Sequence, residues 1–374
     1  MVAFSQEIGE KRRMGNLNAG GEVQHLALCG VRYDDLVPMA EKALIELIRR
    51  IAAGKGIRRQ RPRRSRSEIV AGIGDDCAVL RVLSRRGRDR EIDTLVTTDF
   101  SLEGIHFRRD WHPAESVGHR CLARGLSDIA AMGGDPVAAF LSLALPRRLS
   151  QTWVNGFIRG LTALAEKYEV SLAGGDTAES PDGVLADIMV VGAVAKGTSV
   201  FRSGAKPGDR IYVSGELGGS AAAVSQMREK PGFRLQPKDY PRHFFPEPRV
   251  GLGRMLREKR IASAMIDTSD GLSTDLAHIC ELSGVGAEVI EESIPQAKIG
   301  KQQREVDLKF ALHGGEDYEL LFTAPRNRRV PRQIAGVPIT QIGWVTRTSK
   351  VILTSDRTNI GYELQPQGWE HFHS

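Results

Sequence analysis

The amino-acid sequence predicts a two-domain protein of the α/β (α+β) class. Its 374 residues exceed the length of one typical domain. Short runs rich in Val, Ile, Leu and Ala alternate with longer amphipathic stretches, as strands and helices do in such folds. The 40 glycines suit a chain with many tight turns. We place the domain boundary near residue 200, because a turn-rich segment at 202–209 precedes a new strand.

The first half is predicted to hold an extension and an N-terminal domain. Residues 1–37 carry Gly, Asn and charge with little hydrophobic periodicity, so we expect a disordered extension. The N-terminal domain then covers 38–199, with a basic insertion at about 56–67. Helical periodicity predicts helices at 39–53, 117–131 and 151–168. Short apolar runs predict strands at 78–82, 93–98, 140–145, 170–173 and 187–195.

The C-terminal domain, residues 200–374, is predicted to begin with a strand at 210–213. The glycine-rich segment 215–220 then opens an Ala-rich helix; its spacing is not GxGxxG, which favours a plain turn over a dinucleotide-binding loop. An irregular insert is expected at 227–240. Further elements are predicted at 249–257, 270–283, 286–290, 319–323, 336–345 and 351–353.

Composition excludes several classes of protein. No apolar run approaches 18 residues and the N-terminus has no signal-peptide core, so we expect a cytoplasmic protein without a membrane span. The four cysteines (Cys29, Cys77, Cys121, Cys280) show no CxxC spacing and are predicted to be reduced thiols. Part of the net charge of +6 comes from the basic run at 58–66, which has no interleaved aromatic residues. A solvated insertion is therefore favoured over a nucleic-acid-binding patch, which stays open as an alternative.

Aspartates recur in one setting, after an apolar run and beside small residues. This setting occurs at Asp75-Asp76, Asp99, Asp128, Asp176 and Asp267 to Asp270. Strand ends and helix ends can deliver such carboxylates to one place, where they repel unless cations hold them. Oxygen ligands without a Cys or His cluster favour Mg²⁺, and Mg²⁺ favours phosphate substrates. The sequence contains no Walker A motif, kinase catalytic loop or nucleophile elbow, so metal ions, helix N-termini and basic side chains would have to handle phosphate.

Seven motifs in order carry a resemblance to a known family. They stand at 72–78, at Thr98-Asp99 with His106, and at 126–133, 174–177, 202–209, 267–272 and 314–320. From about Met39 to the C-terminus, the chain resembles the thiamine-monophosphate kinases of the aminoimidazole ribonucleotide synthetase superfamily. The resemblance implies ATP-dependent phosphorylation of thiamine monophosphate to thiamine diphosphate. It also implies a homodimer whose N-terminal sheets pair into a barrel, with each active site between the two domains.

The resemblance also assigns site residues by position. It implies metal ligands at Asp76, Thr97, Thr98, Asp99, Asp128, Asp176, Asp267 and Asp270. It implies nucleotide contacts at Tyr168, Gly175, Asp176, Arg202 and Ser269, and thiamine contacts at His106, Glu316 and Trp369. We interpret Asp75 and Asp317 as scaffolding, with Asp317 supporting the turn at Gly314-Gly315. Gly125 departs from the family pattern, which has Asn before Leu126.

The expected chemistry needs no acid, base or nucleophile from the protein. A phosphate acceptor is already anionic at neutral pH, because its second pKa is about 6. Several Mg²⁺ ions would screen the two phosphate-bearing substrates and align them for direct in-line transfer. The alternative within enzymes is another ATP-dependent synthetase of the superfamily, of the cyclo-ligase or selenophosphate synthetase type. The latter is expected to carry a reactive cysteine in a glycine-rich segment, and Cys29 has no such setting.

Overall fold

A computed structural model describes residues 41–54, 67–82, 91–229, 232 and 234–369. The predicted extension at 1–37, the basic run at 58–66 and Cys29 lie outside the described residues. Among the helices that are described, none is both long and apolar enough to cross a membrane. The other three cysteines, Cys77, Cys121 and Cys280, are buried free thiols, as predicted.

The N-terminal half folds into a six-stranded sheet covered by helices. Its elements are α1 (Glu41–Gly54), β1 (Ser67–Ala71), β2 (Ala78–Val82), β3 (Ile92–Leu102), α2 (Ala114–Ala131), β4 (Asp135–Pro146), α3 (Gln151–Lys167), β5 (Ser171–Ser180) and β6 (Leu185–Ala195). The strand order is β1-β2-β3-β6-β4-β5. Every neighbouring pair is antiparallel except β4 and β5, which run parallel and are joined through α3.

The C-terminal half contains a second, larger sheet. Its elements are β7 (Arg210–Ser214), α4 (Gly219–Glu229), α5 (Pro241–Phe244), α6 (Val250–Glu258), β8 (Ala264–Asp267), α7 (Leu272–Ser283), β9 (Gly286–Ile290), β10 (Lys298–Ile299), β11 (Arg304–Glu305), α8 (Leu308–His313), β12 (Leu320–Ala324), β13 (Gln333–Ile334), β14 (Val337–Thr346), β15 (Val351–Ser355) and β16 (Ile360–Glu363). Short 3₁₀ turns occupy Pro237–Asp239 and Glu291–Ser293. The strand order is β16-β15-β9-β14-β7-β12-β8, with β13 paired to β14.

Helix α2 is the centre of the packing. It is buried along most of its length, and one core cluster joins its Leu126 and Ile129 to Leu256 of α6 and Phe322 of β12. Its contact with α6 is made through the backbone, because a Cβ on Gly253 would lie 2.0 Å from the carbonyl oxygen of Ala130. The helix therefore lies between the two halves of the chain and presents its side chains to both.

The N-terminal sheet has two different faces. Residues such as Leu95 and Ile188 point to the α2 side and are fully buried. On the other face, Val96 pairs with Val191 and Phe140 pairs with Met189, and all four side chains are only half-buried. Alternation along strands places these residues on the face opposite α2. This sheet therefore carries an apolar face that one chain covers only in part.

Two sequence predictions about this fold were wrong in detail. The strand predicted at 170–173 runs on through Gly174, Gly175 and Asp176 to Ser180, because it pairs with β4 over that whole length. The predicted irregular insert at 227–240 begins later, since α4 continues to Glu229. The segment at 215–218 is a plain strand-to-helix turn, as predicted.

Candidate active site

A cavity of about 1520 Å³ lies between the two halves of the chain. The N-terminal half contributes the middle of β3, the loop after β3 and one face of α2. The C-terminal half contributes the loop after β8, the segment at 314–318 and the segment at 367–369. Most of the predicted site residues line it: Asp76, Thr97, Thr98, Asp99, His106, Asp128, Arg202, Asp267, Ser269, Asp270, Glu316 and Trp369.

Three carboxylates meet at one end of this cavity. Oxygen atoms of Asp76, Asp128 and Asp267 all lie within 4.8 Å of one another. Each comes from a different element: the segment after β1, the fourth turn of α2 and the end of β8. Ser127 Oγ donates a hydrogen bond of 2.6 Å to Asp267 Oδ2, and the Thr97 hydroxyl donates to Asp128. We call these three aspartates the carboxylate triad.

The triad is electrostatically unfavourable without a cation. Burial and the nearby Asp76 raise the pKa of Asp267 to about 8. Burial, then Asp99 and Asp267, raise the pKa of Asp128 well above its usual range. One compensating charge is present, because Arg202 Nη2 donates to Asp76 Oδ1 at 2.7 Å. Asp76 Oδ2 is buried and has no hydrogen-bond partner among the described residues. Oxygen donors with an unpartnered buried atom fit a hard divalent cation such as Mg²⁺.

Asp75 has a different environment from its neighbour Asp76. Its Oδ1 accepts the backbone N–H of Arg202 at 3.2 Å. Burial, with the adjacent Asp76, raises its pKa to about 6. Its carboxylate therefore holds the chain at residue 202 in place, which supports the scaffolding interpretation.

The opposite end of the cavity contains Glu316 between two arginines of α2. Arg120 Nη2 lies 2.7 Å from Glu316 Oε2, and Arg124 Nη2 lies 2.5 Å from Glu316 Oε1. Burial alone would raise the pKa of Glu316, but these two guanidinium groups outweigh it and hold the pKa far below its usual range. The Glu316 backbone has φ of +68°, a strained conformation fixed by its N–H donating to Ser269 O at 2.8 Å.

His106 and Trp369 also line the cavity. The Nδ1 atom of His106 accepts the backbone N–H of Leu102 at 3.0 Å, which fixes the ring orientation. Trp369 stays 41% exposed, and its backbone N–H donates to Asp270 O at 3.2 Å. The preceding Gly368 N–H donates to Thr274 Oγ1 at 3.0 Å. The segment 367–369 therefore lies across the beginning of α7, and we call it the C-terminal strap.

Three predicted nucleotide contacts lie outside the cavity. Gly175 and Asp176 are exposed on the edge strand β5. In the ladder, Asp176 pairs with Ser142 and Ser142 pairs with Asp187, so the three share the sheet face opposite α2. The Tyr168 hydroxyl donates to Pro248 O at 2.7 Å and so joins α3 to the segment before α6. The nucleotide roles of these residues, and the ligand role of Asp176, stay predictions.

The sequence interpretation missed several polar residues of the site. Arg120 and Arg124 precede Asp128 by eight and four residues, a helical spacing that could have placed them on its face. Asp187 accepts the Thr98 hydroxyl at 2.6 Å, and no motif pointed to it. The turn-supporting role predicted for Asp317 was wrong, because its carboxylate accepts the Gly218 N–H at 2.6 Å and so holds the start of α4. Gly125 fits its place, since a Cβ there would lie 2.5 Å from Val190 Cγ2.

Comparison with known proteins gives matches over most of the chain. Two family models match in succession: AIR synthase related protein, N-terminal domain, over 74–194, and AIR synthase related protein, C-terminal domain, over 206–356. The thiamine-monophosphate kinase of Salmonella typhimurium is 39% identical over 327 residues, 83% of this chain and 95% of that protein. The thiamine-monophosphate kinase of Bacillus subtilis is 36% identical over 316 residues, 82% of this chain and 94% of that protein.

Solved structures match in the same way. A structure described as AaThiL complexed with AMPPCP and TMP is 30% identical, covers 91% of this chain and 99% of its own, and has a TM-score of 0.72. The structure of thiamine-monophosphate kinase from Stenotrophomonas maltophilia is 34% identical and has a TM-score of 0.64. The match covers 84% of this chain and 96% of that one. The hydrogenase maturation protein HypE in complex with ATP shares the fold alone. It is 18% identical, the match covers 73% of this chain and 84% of that one, and the TM-score is 0.60.

Proposed function

The chain belongs to the thiamine-monophosphate kinase family, and from that premise we propose how its cavity carries out the kinase reaction. The enzyme phosphorylates thiamine monophosphate with ATP. The observation that carries our assignment is the cavity itself, which has the carboxylate triad at one end and Glu316 at the other, with Trp369 also in its lining. An acceptor with a phosphate at one end and an organic cation at the other matches this cavity. Its phosphate would meet Mg²⁺ held by the triad, and its cation would meet the Glu316 carboxylate.

We propose that several Mg²⁺ ions bind at the triad end. Asp76, Asp128 and Asp267 would hold them, with Asp99 and the Thr97 hydroxyl nearby; Thr98 also lines the cavity, but its hydroxyl donates to Asp187. When bound, these ions supply charge that screens donor and acceptor phosphates from each other. Asp270 lines the same cavity, and burial together with Glu41 raises its pKa to about 6, so a nearby cation would favour its ionised form.

The protein's own residues would bind and orient the substrates for direct in-line transfer. Arg202 presents a guanidinium beside Asp76, suited to phosphate oxygens of the nucleotide. Trp369 can stack on the cationic thiazolium ring, and the Glu316 carboxylate can interact with the same part of the substrate. Since the acceptor oxygen is already an anion, positioning and electrostatics suffice without a general base or covalent intermediate.

We propose that two chains pair through their N-terminal sheets to form a barrel. The half-buried apolar face with Val96, Phe140 and Met189, together with the exposed edge strand β5, supports this arrangement. Thr98, Asp187 and Asp176 lie on that face, so the pairing would also enclose Asp176, a predicted nucleotide contact and metal ligand, and Thr98, a predicted metal ligand. Sedimentation of the purified protein tests it, and a monomer at micromolar concentration would contradict it.

We also propose a cytoplasmic location and a division of the chain near residue 200, into an N-terminal domain at 38–199 and a C-terminal domain at 200–374. The buried free thiols of Cys77, Cys121 and Cys280 support a reducing compartment. The separate family-model matches to either side of residue 200 support the division.

The decisive assay measures ADP release in excess Mg²⁺ with thiamine monophosphate as acceptor. Parallel reactions contain an aminoimidazole ribonucleotide precursor or selenide, the substrates of related synthetases. We expect ADP only with thiamine monophosphate, with thiamine diphosphate formed in equal amount. ADP release with either of the other substrates, and none with thiamine monophosphate, would replace our proposal with the synthetase alternative.

A further inference from the structure

Helix α2 carries a stripe of charged side chains along the cavity. Arg120, Arg124 and Asp128 follow one another at intervals of four residues and therefore share one helix face. Each step of four residues moves about 6 Å along the helix axis. Asp128 stands at the triad end and Arg120 at the Glu316 end. Arg124 therefore lies between Asp128 and Arg120 along the helix and reaches Glu316 from the triad side.

The contacts of Arg124 leave part of its guanidinium group unused. Its Nη2 donates to Glu316 Oε1 at 2.5 Å, and its Nη1 donates to Phe100 O in a long contact of 3.3 Å. Its Nε is buried and has no hydrogen-bond partner among the described residues. The side chain is 11% exposed and lines the cavity. A second carboxylate, Asp99, is close enough to stabilise its charge.

These observations point to a ligand for Arg124. Resting on the proposed function, we infer that Arg124 contacts the phosphate of the acceptor, thiamine monophosphate. A substrate whose phosphate reaches the triad and whose organic part reaches Glu316 must place the bond between them beside the middle of the stripe. A planar guanidinium with spare donors is suited to phosphate oxygens. The positive charge of Arg124 would also offset the repulsion between the acceptor phosphate and the triad carboxylates.

The rival role for Arg124 is purely local: it would orient Glu316 and touch no phosphate. The two roles differ in what they do to a ligand that lacks the phosphate. A phosphate contact contributes to binding thiamine monophosphate and contributes nothing to binding unphosphorylated thiamine. Orientation of Glu316 contributes equally to both ligands, because both carry the same organic part.

The test compares the affinities of the full-length protein for thiamine monophosphate and for thiamine, by calorimetry or by competitive inhibition, with Mg²⁺ present. For Arg124→Gln we expect thiamine monophosphate to bind about 10- to 100-fold more weakly, the loss typical of a charge-assisted hydrogen bond. We expect thiamine binding to change less than about 3-fold. The matched control is Arg159→Gln, which removes an exposed arginine paired with Glu115 outside the cavity and should leave both affinities unchanged.

Equal losses for the two ligands, or no loss for either, would overturn the inference. Arg124→Lys keeps the positive charge but not the planar guanidinium group. It is the variant to compare if Arg124→Gln does not fold. A loss confined to thiamine monophosphate in the lysine variant again supports the phosphate contact, and equal losses again overturn it. Failure of the unsubstituted protein to bind thiamine monophosphate would instead overturn the proposed function.

Discussion

The Nε2 atoms of His112 and His243 lie 3.0 Å apart in the cavity wall, so only one of them can carry the shared proton. His243 Nδ1 contacts Ser220 Oγ at 2.9 Å, and His112 Nδ1 contacts Arg108 O at 3.1 Å. A continuous chain of hydrogen bonds therefore joins the loop before α2 to the start of α4. It breaks when both imidazoles are protonated, because both Nε2 atoms would then be donors facing each other.

The first prediction concerns acid sensitivity. Burial, with the charge of Arg120, lowers the pKa of His112 to about 4 despite the opposing Glu316 and Asp110 carboxylates. The unfolded chain then binds more protons than the folded one between its unperturbed pKa of about 6.5 and the folded value. Stability is therefore kept above pH 6.5 and falls as the pH drops through this window, by up to about 3 kcal/mol from His112 alone.

Urea unfolding between pH 7.5 and pH 4.5 measures this loss. His112→Asn should lower stability at pH 7.5 but flatten its dependence on pH, because the titrating group is gone. The same slope in the variant and the unsubstituted protein would show that other groups govern the acid response.

The second prediction concerns the carboxylate triad. Asp128→Asn removes a proposed metal ligand, so turnover should fall at least about 100-fold. Because the three carboxylates repel one another, the loss of one of them should not lower the Tm of the metal-free protein. Asp99→Asn should likewise abolish turnover with little change in fold. The rise in Tm on adding Mg²⁺ should shrink in both variants, because binding to the folded state is weakened. Thermal unfolding with and without EDTA measures this, and Asp182→Asn in an exposed turn is the control. Near-normal turnover at limiting Mg²⁺ would exclude the ligand role.

The third prediction concerns the C-terminal strap. A Cβ on Gly368 would lie 2.3 Å from Asp270 O and 2.5 Å from Thr274 Oγ1, so Gly368→Ala should displace Trp369. We expect KM for thiamine monophosphate to rise about 10-fold with little change in Tm, as one aromatic contact is lost. The matched control is Gly251→Ala, where the nearest atom lies 3.8 Å from the new Cβ. An unchanged KM and unchanged quenching of tryptophan fluorescence by the substrate would separate the strap from binding.

The fourth prediction concerns Glu319, which is fully buried. Arg249 Nε donates to its Oε2 at 2.7 Å, and Arg242 Nη1 donates to its Oε1 at 3.1 Å. Glu319→Gln leaves these guanidinium groups without their counter-charge and should cost about 3 kcal/mol of unfolding free energy. Glu115→Gln breaks only the exposed pair with Arg159 and should cost less than about 1 kcal/mol. Similar losses in both variants would contradict the prediction.

The sequence was most informative where an apolar run ends in a carboxylate. Asp267 ends β8 and Asp76 precedes β2, and both reach the cavity because strand ends fix their positions. It was less informative where pairing overrides local preference. Gly174 and Gly175 suggested a strand end, but parallel pairing with β4 carries β5 through them.

Long-range contacts were beyond the reach of local patterns. Asp317 holds the start of α4 across 99 residues of sequence, and Arg124 meets Glu316 across 192. Neither pairing leaves a periodic signal, because each depends on how two halves of the chain dock. Asp187 was missed for another reason: an acidic residue in an alternating strand reads as an ordinary solvent-facing position.

The position of α2 between the two halves has a consequence for synthesis of the chain on the ribosome. The side of α2 that packs against α6 and β8 is covered only after residues 250–267 have emerged. Until then, the side of α2 around Ala130, which Gly253 of α6 later contacts, lacks part of its final cover, and the nascent N-terminal half presents apolar surface that favours association with other chains. A fragment ending near residue 200 should therefore need chaperones to stay in solution, although its sheet is complete.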